Sequence, residues 1–165
     1  MDAMECIKTR RSIRKYEEKS VSPLIIRQIL DTSIFAPSGK NGKPWRFKIV
    51  TDKNIISEIG NMTIFSRWSK SAPCLIFVFL DKTQSYDYIK DVQSCGAVVQ
   101  NILLSAHALG ISSCWIGEVM AQSEKILRVL NIQNECVELM AMVTLGYGIN
   151  TRNSVERKSL QEFLI

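Results

Sequence analysis

The chain has 165 residues, 46% hydrophobic and 22% charged, which is enough apolar material for one buried core and excludes a disordered or fibrous architecture. Its formal charge of +5 attracts polyanions in general, yet the basic residues fall in small groups (Arg10 to Lys15, Lys40 to Arg46, Arg67 to Lys70, Arg152 to Lys158). That distribution suits a compact phosphate better than a nucleic-acid backbone.

Residues 2–9 read as a short helix running into RRSIRKY. Ser22 before Pro23 is a helix-start signal, since serine accepts from the free N–H groups of a first turn and proline lacks the donor that would be orphaned there. Leu24, Ile25, Ile29 and Leu30 give that helix its apolar face, and it should stop near Ala36, ahead of Pro37. The punctuated loop PSGKNGKPW follows, then WRFKIVT, which alternates as a half-buried strand does. Asp52 should cap a helix reaching about Asn61.

The uninterrupted run CLIFVFL (74–80) is expected to be a strand covered on both faces, in the middle of a sheet. A long helix is predicted from about Asp87 to Leu109, ended by Gly110. Beyond Cys95 it is apolar almost all round, so it must be buried on more than one side, within its own domain or against a second copy. A strand (Ser113–Gly117), a helix (Ser123–Leu130) and a strand (Val137–Tyr147) complete one domain spanning 1–165, and the tail from Ile149 reads as polar and extended. Helices between strands, with no hairpin signal, indicate a sheet flanked by helices.

The cysteines Cys6, Cys74, Cys95, Cys114 and Cys136 form no CxxC pair and fit reduced, buried thiols. With His107 the only imidazole, no metal site is expected. The start of the chain carries no basic region followed by an apolar one, and no apolar run approaches a membrane span, so a cytoplasmic protein without a membrane partner is expected.

Arg10, Arg11, Ser12 and Arg14 place three guanidinium groups and a hydroxyl within five residues at a helix end. Planar donor forks match phosphate, so these residues form a candidate monophosphate cradle; the alternative is an exposed basic helix end. GKNGK looks like a phosphate-binding P-loop, but Pro44 stands where that motif needs helix. Gly146 and Gly148 follow the last strand with no helix after them, so they are no dinucleotide fingerprint. There is no GxSxG, and His107, at helical spacing on an apolar helix, reads as structural.

RRSIRKY, APSGKNGKPWRF and ALGISSCWIG occur in that order, and the chain thereby resembles the nitroreductase family of FMN-dependent oxidoreductases from Thr9 to Leu160. The resemblance implies an α/β (α+β) fold, with a mixed, mainly antiparallel sheet flanked by helices, in an intertwined homodimer with two FMN molecules at the interface. Arg10, Arg11, Ser12 and Arg14 would hold the phosphate and the ribityl end or pyrimidine edge, while Pro37, Ser38 and Asn41 of the partner chain would contact the ring. Trp115, Ile116, Gly117 and Glu118 match the strand end beside the flavin, with a backbone N–H at about Gly117 facing N5. The closing RKSL resembles the family's last basic motif, in which Arg157 would be a second phosphate contact and Lys158 a weaker one.

The implied activity passes electrons from NADH or NADPH to a small acceptor such as a nitroaromatic or quinone, with no side-chain acid or base required. A flavin-binding sensor or reservoir without turnover is the alternative. Two departures stand out. Lys43 occupies a position where relatives commonly carry Gln, and the stretches 61–72 and 81–91 are short where relatives often cover the substrate, which suggests an open or partner-completed pocket.

Overall fold

Local signals set most of the element boundaries. In the computed structural model, which describes residues 1–149 and 157–165, helix α1 (Ala3–Thr9) opens on Asp2, whose carboxylate accepts from Glu5 N at 3.0 Å. Helix α2 (Pro23–Ser33) opens on Ser22, whose hydroxyl accepts from Leu24 N at 3.3 Å. It unwinds through turn bonds at Phe35 and Ala36 before Pro37. Strand β1 (Trp45–Val50) leads to α3 (Lys53–Met62), where the Asp52 carboxylate accepts from Asn54 N at 2.8 Å and Ile55 N at 3.1 Å. A short helix α4 (Ser66–Ser69) precedes β2 (Cys74–Asp81). The long helix α5 (Tyr88–Ala108) is capped by Asp87 and closed by Gly110, whose φ of 74° is the left-handed geometry glycine tolerates. Strand β3 (Ser112–Ile116), helix α6 (Ser123–Val129) and strand β4 (Val137–Gly146) follow.

The strands align in the order β1-β2-β4-β3, with every neighbouring pair antiparallel. Among the described residues the parallel component is a single bridge, Ser12 to Ser113, where the chain leaving α1 runs beside β3.

All eight residues of β2 are buried, as its unbroken apolar run requires. Cys74, Ile76, Val78 and Leu80 pack into one core with α2 and α5, while Leu75, Phe77 and Phe79 pack into a second with Ile56 and Ile59 of α3 and Ile126 of α6. On β4 the alternation slips once. Val78 pairs with Ala141 and Phe79 with Leu139, so Met140 is an extra residue, and Met140 and Ala141 both enter the α5-side core.

Cys6, Cys74, Cys95 and Cys114 are buried free thiols and Cys136 is an exposed one. Burial pushes Cys74 and Cys95 up to about 12, keeping both as neutral thiols.

The expectation for the tail fails at its end. Leu160–Phe163 forms a turn of 3-10 helix, because Ser159 and Glu162 carry the spacing of a capping box. Leu160, Phe163, Leu164 and Ile165 are apolar and exposed, so this end is not polar. Residues 150–156, Arg152 among them, lie outside the described residues. No helix among the described residues is long and apolar enough to cross a membrane.

Candidate functional site

The segment from Arg10 to Tyr16 is stitched to the edge of the sheet. Ile13 N donates to Ser113 O at 3.0 Å, Glu17 N to Tyr147 O at 2.8 Å, and Ile149 N to Lys15 O at 2.9 Å. Beneath it the buried Tyr16 hydroxyl lies 2.7 Å from the Ile13 carbonyl and 2.7 Å from the Thr144 hydroxyl, itself 3.3 Å from the Cys114 carbonyl. Burial raises the Tyr16 phenol well above its ordinary value, so it stays a neutral hydrogen-bonding pin.

Arg10, Ser12 and Arg14 converge around the buried Cys114 thiol. Burial pushes this thiol up, and the two guanidinium groups and the Ser12 hydroxyl offset part of that rise. Arg10 is half-buried, and its Nη1 is shielded from solvent without a hydrogen-bond partner among the described residues. Burial first, and then the charges of Arg157 and Arg11, lower its pKa. The Arg157 charge thus acts on Arg10, and among the described residues no carboxylate pairs with Arg10, Arg14 or Arg157. Like charges gathered around an unsatisfied donor are an arrangement that an anion would satisfy.

Arg11 is placed differently. Its Nη1 donates to the carbonyls of Lys8 at 2.7 Å and Arg10 at 2.9 Å, so it closes the end of α1 as the helix-end reading has it. His107 meets the same helix end, 2.9 Å from the Thr9 hydroxyl. Thr9 gives its proton to the Glu5 carbonyl at 2.7 Å, so His107 Nε2 is the donor. Burial, then Arg10 and Arg11, hold His107 below the ordinary imidazole value.

The second group lies where β3 ends. Ile116 is buried in the α3-side core, whereas Trp115 is 43% exposed, its ring against Gly96 in the middle of α5. Gly117 has φ −84° and ψ −23°, open to any residue, and an added Cβ would stand 3.9 Å from Trp115 Nε1. Neither backbone nor packing requires glycine there. Next to it, Glu118 Oε2 is shielded from solvent with no partner among the described residues.

The third group is the loop of Pro37, Ser38 and Asn41. Lys40, Asn41 and Lys43 have φ of 50°, 56° and 48°, left-handed geometry that costs a non-glycine residue about 1 kcal/mol or more. Lys43 N donates to Ser38 Oγ at 3.0 Å and Asn41 N to Ser38 O at 3.1 Å, so Ser38 ties the loop from within. Pro37, Asn41 and Lys43 are exposed and Ser38 is half-buried.

The structure brings Arg10, Ser12, Arg14 and Arg157 together but not with this loop. The cradle sits at the C-terminal end of α5, where Cys6 Sγ and Thr9 meet Leu104 and His107, and the loop sits at its N-terminal end, against Tyr86. At about 1.5 Å per residue the 21 residues of α5 hold the two roughly 30 Å apart.

Two aromatic residues escaped the sequence reading. Arg14 lies 5.8 Å over the Trp68 ring, and Trp68 packs on Phe65 with centroids 5.5 Å apart, so the short 61–72 stretch supports a cradle arginine. Lys40 Nζ lies 4.8 Å over the Tyr86 ring, so the 81–91 stretch supports the loop. An aromatic residue beside a basic one on a helix turn was the available sign of the first; the second joins residues 46 apart and has no local signal.

The model of the nitroreductase family matches residues 7–66 and 61–147. The chain is 37% identical to an Archaeoglobus fulgidus protein named as an NADH dehydrogenase/NAD(P)H nitroreductase, covering 92% of this chain and 90% of that one. A Methanothermobacter thermautotrophicus protein of the same name is 35% identical over 89% of this chain and 78% of its own length. Among solved structures, one from Desulfovibrio desulfuricans described as a nitroreductase in complex with FMN superposes with a TM-score of 0.93 at 34% identity, over 100% of this chain and 96% of that one.

Proposed function

This chain belongs to the nitroreductase family, and we propose that it is an FMN-dependent oxidoreductase that carries electrons from NADH or NADPH to a small electrophilic acceptor, a nitroaromatic or a quinone. The observation that carries this reading is the cradle: Arg10 Nη1, shielded and without a partner among the described residues, under the charge of Arg157 and with no described carboxylate paired to either. A dianionic phosphate supplies the missing acceptors.

In this reading Arg10, Arg14 and Arg157 neutralise the phosphate end of the flavin, and Ser12 donates to it. Bound FMN supplies the redox chemistry, with hydride entering and leaving at N5. The turn at Gly117 lets the backbone approach the ring closely, and a fixed N–H dipole there favours negative charge without offering a labile proton. No side chain need act as a general acid or base.

The site is completed by a second copy. A mononucleotide cannot reach roughly 30 Å along α5, so the Pro37, Ser38 and Asn41 loop serves the cradle of the partner. Met4 and Ile7 on α1, Leu24 on α2 and Phe35 just beyond it are exposed apolar residues of the kind a homodimer covers. The whole chain, residues 1–165, then acts as one FMN-binding domain.

Steady-state assays of the flavin-loaded protein with NADH or NADPH and a nitroaromatic or quinone test the proposal. Parallel-line double-reciprocal plots are expected, because donor and acceptor use the same pocket in turn. Bound flavin that neither nicotinamide reduces contradicts turnover and favours a sensor or reservoir.

A further inference from the structure

The Ser38–Lys43 loop carries three non-glycine residues at positive φ, and its internal ties are Ser38 and two turn bonds. Such geometry persists only where surrounding structure over-determines it. The outside support comes from the turn before α5. Tyr86 packs against Gly39, so closely that a Cβ on Gly39 would fall inside the ring edge and hydroxyl of Tyr86. Lys40 folds back over the outer face of the same ring at 4.8 Å, and Lys90 approaches it at 5.5 Å. Gly39 thus allows the contact and Lys40 closes over it.

Tyr86 is itself fixed from below. Asp91, 1% exposed in the first turn of α5, accepts on one oxygen from Ser85 Oγ at 2.8 Å, Tyr86 N at 3.0 Å and Asp87 N at 3.2 Å. These bonds set the backbone of the turn and hence where the ring stands. A buried carboxylate spent on three donors of one turn specifies that turn's shape.

We propose that Tyr86, held by Asp91, is a positioning residue that fixes the Ser38–Lys43 loop in its flavin-contacting shape. The inference rests on the function proposed above for its link to the flavin, but the clasp itself is a property of the chain without cofactor. Its effect runs through pre-organisation: an unclasped loop relaxes from its left-handed conformation and must be re-ordered whenever FMN binds.

The test pairs two readouts on Tyr86→Ala, Tyr86→Phe, Gly39→Ala and the Gly39→Ala/Tyr86→Ala double variant. Amide hydrogen exchange at residues 38–43 in the apo-protein is expected to rise about tenfold or more in Tyr86→Ala and to stay near wild type in Tyr86→Phe, which keeps the ring. For FMN, Tyr86→Ala is expected to raise Kd about tenfold and Tyr86→Phe less than about twofold. Gly39→Ala should raise Kd about tenfold when Tyr86 is present and less than about threefold when it is Ala, because the clash has gone. Equal costs of Gly39→Ala in both backgrounds, or unchanged loop exchange in Tyr86→Ala, overturns the clasp. If the wild-type chain binds no FMN, the functional reading fails while the exchange data still score the clasp.

Discussion

The cradle and the loop are built on opposite physical plans. From Arg10 to Tyr16 the chain is bonded along the edge of the sheet and pinned from below by Tyr16 and Thr144, so the two cradle arginines it carries project from backbone the core has already fixed. The loop from Ser38 to Lys43 has no strand beneath it. It holds left-handed residues in place with a hydroxyl, two turn bonds and an aromatic ring from another element. Charge has to converge before an anion arrives, and that needs rigid support; a surface that touches a planar ring through the partner needs shape, which local strain and one clasp can hold.

The largest expected effect breaks the cradle. Arg10→Ala with Arg14→Ala removes two charge-assisted donors at about 1.5–3 kcal/mol each, so FMN affinity should fall a hundredfold or more. Flavin-fluorescence titration checks the loss, and sedimentation should find the dimer retained. Tyr16→Phe attacks the pin instead. Leaving the buried Ile13 carbonyl without its donor and the Thr144 hydroxyl without its phenol partner should cost about 1–3 kcal/mol of stability, read as a lower denaturation midpoint.

Gly117→Ala separates fold from function where β3 ends. The backbone there suits alanine and a Cβ has room, so stability should rise by about 0.4–1 kcal/mol. Over the same substitution, flavin reduction by NAD(P)H should slow, because the added methyl stands where the ring approaches; stopped-flow absorbance measures this. The smallest effect belongs to the loop. Lys43→Gly relieves a left-handed non-glycine residue but loosens the unfolded chain, for a net gain of about 0.5 kcal/mol by denaturant titration.

What was legible in the sequence follows the same division. Helix starts at Ser22, Asp52 and Asp87 rest on bonds spanning two or three residues, and the double burial of β2 follows from its unbroken apolar run, so both can be read from a line of text. Three arginines in five residues announce a cradle, but not that Arg11 turns back onto its own helix, because the competing acceptors are carbonyls that every residue carries. The pin between Tyr16 and Thr144 joins residues 128 apart, and the bulge at Met140 changes the facing of β4 without altering its composition. The sequence shows the charge of Lys43 but not its left-handed backbone, which no residue type announces. The apolar close of the chain, LQEFLI, is too short to stand out against the polar residues before it.

The central claim is that this chain holds FMN on the Arg10, Ser12 and Arg14 cradle. Its most direct test is the visible absorption spectrum of the purified protein, reconstituted with FMN and desalted, compared with that of the Arg10→Ala/Arg14→Ala variant. A stoichiometric flavin spectrum in the wild type, released as FMN on denaturation and absent from the variant, is the predicted result. A colourless wild-type protein, or a variant that retains full flavin, would contradict it.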